Sequence, residues 1–317
     1  MISHQSGYIL LHGNPNEHRR LFYNHFSPEN QSVKAAVLIL HGMKEHSGRY
    51  EEFARFLAGN GFAVLTYDHL GHGKSARDSA DLGFFQRNHP AGQLVKDAGQ
   101  IADHLRELHP DVPKFILGHS MGSFITRLLL QESPEKFNGA IIVGTGGKNI
   151  PAILTKPFIG LLNRISPRKR NKLVNKMFDK MNNVRFRNEP DATSSSWLSL
   201  DKANRLAFDS DPLCGIPFTN NGFHTLISVN TKATRRNWAR NIPRQFPLLF
   251  VSGEDDPIGN FGNGVRRITA ELKKDGFEDV EQKLYKQMRH EILNEKIRPQ
   301  VYGDIAGWIC ERLMKIE

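Results

Sequence analysis

Five short segments of the chain are nearly unbroken apolar runs: Ala35 to Leu40 (AAVLIL), Phe62 to Tyr67 (FAVLTY), Lys114 to Gly118 (KFILG), Ala140 to Gly144 (AIIVG) and Pro247 to Gly253 (PLLFVSG). A strand with one face in water alternates apolar with polar residues. Runs without that alternation predict strands buried on both faces, the condition of a parallel sheet covered by helices. Helix-length segments lie between them. Tyr50 to Asn60 has Phe53, Phe56 and Leu57 at helical spacing and stops at Gly59-Asn60-Gly61, while Ala91 to His109 and Met121 to Glu132 read as crossover helices. Tyr8 to Leu11 and Arg19 to His25 fit a leading antiparallel hairpin. Glu281 to Met288 fits a last strand, followed by a helix from about Pro299 to Met314. The expected fold is α/β: a mostly parallel eight-stranded sheet with helices on both faces.

The strand and helix rhythm breaks after Gly144 and resumes at Pro247. Residues 146–240 therefore read as a helical cap inserted into a core formed by 1–145 and 241–317. The cap is also where the charge sits. The chain has a formal net charge of +10, and from Lys148 to Arg187 eleven Lys and Arg residues face one acid, Asp179, so this segment equals the whole excess. Leu173, Val174, Met177, Phe178 and Met181 follow helical spacing. They predict a cap helix packed on the core with a solvated basic back, the alternative being an interfacial helix near a pocket mouth.

Gly118-His119-Ser120-Met121-Gly122 matches G-x-S-x-G at the end of a predicted buried strand and the start of a predicted helix. That is the context in which a sharp turn lifts a serine hydroxyl clear of a sheet, with glycine on either side to avoid collision. A hydroxyl is a weak nucleophile at neutral pH, so it needs a base, and the base needs an orienting acid. Asp255 and Asp256 stand just beyond the strand ending at Gly253, and His290, the last histidine in the chain, stands in the loop after the last predicted strand. The order Ser, Asp, His is that of the α/β-hydrolases.

Together, LHGMKEHSGRY, YDHLGHGKS, GHSMGS, DPLCG, SGEDDPIGN and RHEILNE resemble the monoglyceride lipase and lysophospholipase branch of the α/β-hydrolases, a branch also described as serine aminopeptidase. The resemblance is dense from Leu40 to Gly144 and from Pro247 to Glu295, and thin through the cap. It implies the α/β-hydrolase fold. It also implies Ser120 as nucleophile, His290 as base and Asp256, the fourth residue of Gly-x-x-Asp, as acid, with Asp255 the lesser candidate. The oxyanion hole it implies is built from the backbone N–H groups of Met121 and of Met43 in His-Gly-x-x-Glu-His, where the family more often has a small residue. His41, His46, Asp68, His69 and His72 are expected to hold loops by hydrogen bonds, His119 to pack beneath the sheet end, and Trp197 and Trp308 to pack in core or cap.

The expected function is hydrolysis of a small lipid ester, a monoacylglycerol or lysophospholipid, through an acyl-enzyme. A serine aminopeptidase or an acyltransferase is the alternative on the same scaffold. An aminopeptidase would want an acid to hold a substrate amine, and the cap is poor in acids until Glu189 and Asp191. Two distant cysteines and scattered histidines give no disulfide framework and no ligand pair, so no metal and no cofactor are expected. Basic charge without stacking aromatics or a known module argues against nucleic acid, and a non-enzymatic binding protein would be expected to lack a triad member. The basic cap suits peripheral contact with an anionic membrane. No basic start with a long apolar run opens the sequence and no apolar run is long enough to span a bilayer, so the expectation is a cytoplasmic protein.

Overall fold

Val37 and Ile39 pack into one layer of the molecule, and Ala36, Leu38 and Leu40 into the other. Both sides of this strand are therefore apolar, which is why its sequence does not alternate. The computed structural model describes residues 1–11, 19–148 and 150–316. Among these, eight strands form one sheet: β1 (Ile2–Leu11), β2 (Arg19–Pro28), β3 (Ala35–Leu40), β4 (Phe62–Tyr67), β5 (Lys114–His119), β6 (Gly139–Val143), β7 (Leu248–Gly253) and β8 (Val280–Tyr285). Their spatial order is β1-β2-β4-β3-β5-β6-β7-β8. The β1–β2 and β2–β4 pairings are antiparallel and the remainder parallel, as the apolar runs predict.

Helices α1 (Glu51–Gly59) and α9 (Arg298–Leu313) cover one face through Phe53, Leu57, Val301 and Ile305. On the other face lie α2 (Pro90–Leu108), α3 (Met121–Glu132), α7 (Asn220–Ala233) and α8 (Asn263–Lys274), contributing Leu94, Ile125, Val229 and Ile268. Between β6 and β7 the chain also forms α4 (Ile150–Ile165), α5 (Lys172–Asn182) and α6 (Lys202–Ser210). Of the α5 stripe, Val174 and Phe178 pack inward, whereas Leu173 (65 % exposed), Met177 and Met181 face outward. The expected packed helix is thus only half packed.

The order of strands reverses between β3 and β5, and ligands of open α/β sheets bind at such a switch point. Gly118 and Gly122 let the chain turn here. A Cβ on Gly118 would stand 2.3 Å from Thr126 Oγ1, and one on Gly122 would stand 2.2 Å from the Leu40 carbonyl oxygen. Helix α3 therefore comes close to the end of β3 only because position 122 has no side chain. Gly122→Ala should cost about 3 kcal/mol or more, by overpacking against backbone that cannot yield. Gly59→Ala, at a position where a Cβ meets nothing within 4 Å, should be neutral or stabilising by about 0.5–1 kcal/mol. Urea denaturation of the two variants checks the contrast.

Candidate active site

Ser120 caps α3 from the end of β5 with φ 53° and ψ −116°, a conformation sparsely populated by residues with side chains. The turn is held from both sides. Ser120 N–H donates to Val143 O (3.0 Å), and Ser123 Oγ donates to Ser120 O (2.5 Å) while also contacting Thr145 Oγ1 (2.8 Å). The loop after β3 lies against the turn, since a Cβ built on Gly42 would be 3.1 Å from Ser120 Cβ. In this loop Gly42 N–H is engaged by Glu45 Oε1 (2.6 Å). The N–H groups of Met43 and of Met121, the first residue of α3, have no hydrogen-bond partner among the described residues.

Of the two neighbouring acids, Asp256 and not Asp255 meets the histidine. His290 Nδ1 donates to Asp256 Oδ1 at 3.0 Å, and both side chains are buried. Asp256 also accepts Ile258 N–H (2.8 Å) on Oδ1 and Ser252 Oγ (3.0 Å) on Oδ2. Burial alone would raise its pKa, but His290 and these two donors outweigh burial and hold the carboxyl below its usual range. Asp255 instead gives its backbone N–H to Met288 O (2.9 Å). Gly144 leaves room for the histidines: a Cβ there would lie 3.1 Å from His119 and 3.2 Å from His290 Cε1.

His119 does more than fill space beneath the sheet end. Its Nδ1 is 3.0 Å from Glu45 Oε1 and its Nε2 is 3.2 Å from the His290 carbonyl oxygen. Both partners are acceptors, so both ring nitrogens must donate and the ring is an imidazolium. Burial opposes that charge, yet the Glu45 carboxylate overcomes it and raises the His119 pKa. Glu45 also accepts Tyr50 Oη (2.7 Å) and Arg49 Nη1 (3.0 Å), and Arg49 continues to Glu291 (Nη2 to Oε2, 2.8 Å) and Asn204 Oδ1 (2.8 Å). Single-sequence reading missed this network, although the spacing of Glu45, Arg49 and Tyr50 at i, i+4 and i+5 was a signal for it.

The other polar residues of these loops act as expected. His41 Nε2 accepts His69 N–H (2.9 Å), so its Nδ1 carries the proton and donates to Gly42 O (2.7 Å). Burial lowers the His41 pKa to about 4, keeping the ring neutral. Asp68 accepts Ser47 N–H (2.8 Å) and Lys74 N–H (2.7 Å). Trp308 packs in the core, whereas Trp197 lies over His290, ring centroids 4.9 Å apart. The Trp197 segment is strapped to the His290 loop. Arg289 Nη1 donates to Ser196 O (2.7 Å), Glu291 N–H donates to Leu198 O (2.7 Å), and Glu295 Oε1 accepts Leu200 N–H (2.7 Å).

Both cysteines are free. Among the described residues one group of possible metal ligands comes together: His46, Asp211 and Cys214 place ligand atoms within 4.8 Å. Here His46 Nδ1 accepts Gly48 N–H (3.2 Å) and its Nε2 donates to Asp211 (2.8 Å), so no imidazole lone pair points at the group. The trio ties the loop after β3 to the segment following α6.

The sequence matches the family described as "Serine aminopeptidase, S33" over residues 31–297. It is 27% identical to the monoglyceride lipase of Mus musculus over 296 residues, covering 92% of this chain and 88% of that one. With the monoacylglycerol lipase of Mycolicibacterium smegmatis it shares 26% identity, over 93% and 94% of the two chains. Among solved structures, a thermostable carboxyl esterase from Bacillus coagulans superposes with a TM-score of 0.87 at 26% identity, covering 98% and 99%.

The raised pKa of His119 has a consequence for stability. Its contribution is fully present below the unfolded histidine value of 6.5 and is lost as pH rises through the folded value. His119→Gln should therefore destabilise the protein by about 2–4 kcal/mol near neutral pH, because Glu45 keeps its charge with Arg49 as its one remaining cationic partner. The deficit relative to wild type should shrink in alkaline buffer. Thermal unfolding of both proteins across pH tests this, and a deficit independent of pH would reject the imidazolium.

Proposed function

This chain belongs to the serine aminopeptidase S33 family of α/β-hydrolases, and from that premise we propose that it is a serine hydrolase of lipid carboxylic esters, acting on monoacylglycerols or lysophospholipids. The observation that carries the reading is the buried Asp256–His290 pair, joined to the strained Ser120 turn through the ring of the adjacent His119, 4.8 Å from that of His290 between centroids. Ser120 Oγ attacks the ester carbonyl carbon while His290, its Nδ1 proton committed to Asp256, takes the serine proton on Nε2. The N–H groups of Met43 and Met121 receive the developing oxyanion. Collapse of the tetrahedral species expels the alcohol, protonated by His290, and leaves an acyl-serine. Water attacks that ester, again giving a proton to His290, and the fatty acid departs. Asp256 remains ionised and stabilises the imidazolium at each stage.

Relatives named as monoglyceride and monoacylglycerol lipases support an ester of this class, and the cap argues against the aminopeptidase alternative. The two acids considered for holding a substrate amine are engaged: Glu189 pairs with Arg289, and Asp191 with Arg205 and with Lys202 (3.2 Å). We propose that residues 146–240 form the cap, with α7 as its root on the core.

The cap also supplies a lipid-facing surface. Ile150, Leu154, Phe158, Leu161 and Ile165 recur every three or four residues along α4 and are all more than half exposed, as are Leu173 and Met181 of α5. Lys156, Arg164, Lys169, Lys172, Lys176 and Lys180 accompany them. An apolar stripe with basic neighbours suits peripheral insertion into an anionic bilayer, each basic residue near the surface adding about 1 kcal/mol. No helix among the described residues is long and apolar enough to cross a membrane.

Ser120→Ala should retain the fold by circular dichroism and lose roughly three to six orders of magnitude in kcat on p-nitrophenyl esters. A panel comprising monoacylglycerol, lysophospholipid and aminoacyl-nitroanilides should show activity on esters and not anilides; the reverse pattern would overturn the reading. Flotation with vesicles should show binding to anionic lipid that declines with salt, and Phe158→Glu should weaken it. Equal binding by that variant would place the contact elsewhere.

A further inference from the structure

One buried charge near the site has no part in the mechanism above. Lys44 directly follows Met43 and has φ 57°, the left-handed region that favours glycine. Its carbonyl oxygen is held by Gly215 N–H (2.9 Å), and its side chain runs under the cap with the residue only 9% exposed. There Nζ lies 5.2 Å from the ring centroid of Phe178 on α5 and 5.9 Å from that of Phe223 on α7. Phe178 meets Trp197 edge to face at 5.9 Å, and Trp197 lies over His290. One aromatic wall thus runs from the His290 ring to the Lys44 ammonium.

An ammonium has three N–H donors and is costly to bury without matching acceptors. Among the described residues Lys44 Nζ pairs with one carboxylate, Asp179 Oδ1 at 3.6 Å, longer than a good hydrogen bond, on a side chain that is 36% exposed. Burial pulls the Lys44 pKa down, and Asp179 offsets this only in part. The arrangement is an under-compensated positive charge inside the cap, one residue beyond the N–H proposed to receive the oxyanion.

We infer that Lys44 recognises a negative charge on the substrate, so that monoacyl esters bearing a phosphate monoester a few bonds from the scissile carbonyl are preferred over neutral monoacylglycerols. The inference rests on the ester-hydrolase reading and narrows it. A phosphate would give the Lys44 ammonium charged acceptors beyond the single Asp179 oxygen at 3.6 Å. Lys44 is a specificity residue and takes no part in proton transfer.

The test compares monooleoylglycerol with monooleoylglycerol phosphate, both below their aggregation concentrations. The wild-type kcat/KM should favour the phosphate ester by at least about tenfold, equivalent to about 1.4 kcal/mol. Lys44→Met should bring the ratio near or below one, chiefly through KM, and Asp179→Asn should widen it by removing the competing carboxylate. Glycerol 3-phosphate, which has the anion without the acyl chain, should compete in the wild type and not in Lys44→Met. Calorimetric binding of the same two lipids to Ser120→Ala protein reads recognition without chemistry, so failure of the hydrolase reading and failure of this one are separable. A wild type that binds and cleaves the neutral ester equally well, or a Lys44→Met variant that loses both substrates in parallel, as a simple tie to the cap would, overturns the inference.

Discussion

The carboxylate of Glu45 is gripped by four groups drawn from three places: Gly42 N–H and Arg49 and Tyr50 side chains from its own loop and the turn into α1, and the His119 ring from the end of β5. A fully buried carboxylate is tolerable only when its lone pairs are matched in this way. Matching them fixes geometry at a distance. Through Gly42 the carboxylate sets the loop that carries Met43, and through His119 it sets the carbonyl of His290. The neighbour of Ser120, the loop of Met43 and the backbone of His290 are thereby referred to one anion, whose own pKa is driven well below the usual value by His119 and Arg49 despite burial.

Charge accounting explains why the network is longer than a pair. Glu45 and Glu291 carry two negative charges, and the His119 imidazolium and Arg49 guanidinium carry two positive ones. The cluster is neutral as a whole, which lets it stay out of water. Asn204 on α6 caps it from the other side, bridging Arg49 and Glu291. The loops around Ser120 and His290 and the seating of α6 therefore share members.

Much of this was legible in the sequence wherever one side chain had one environment. Strands β3 and β4 fall where unbroken apolar runs require, and α3 occupies the span read for it, because burial on two faces leaves a simple pattern. The meeting of Asp256 with His290 followed from motif, order and strand ends. Helix α8 was readable and overlooked: Val265, Ile268 and Leu272 at i, i+3 and i+7 mark its buried side. Helix α7 was not readable, since its buried face includes Asn220, Asn221, Thr225 and Asn230, and two of these amides are taken up by distant backbone: Asn220 Nδ2 by Ser166 O (2.8 Å) and Asn221 Nδ2 by Gln86 O (2.9 Å). The role of His119 was hidden for a related reason. Its charge depends on Glu45, seventy-four residues away, and no local pattern reports a partner at that separation.

The strap from Arg289, Glu291 and Glu295 to residues 196–200 bears on how such a protein diversifies. An inserted cap is ordinarily thought of as an exchangeable part, free to vary while the core keeps its chemistry. Here the loop that bears His290 also holds residues 196–200, so a foreign segment spliced between β6 and β7 would leave buried arginine and glutamate side chains without acceptors and donors. The unit that can be inherited or transplanted intact is residues 196–200 together with residues 289–295, two pieces of chain almost a hundred residues apart that must change in step.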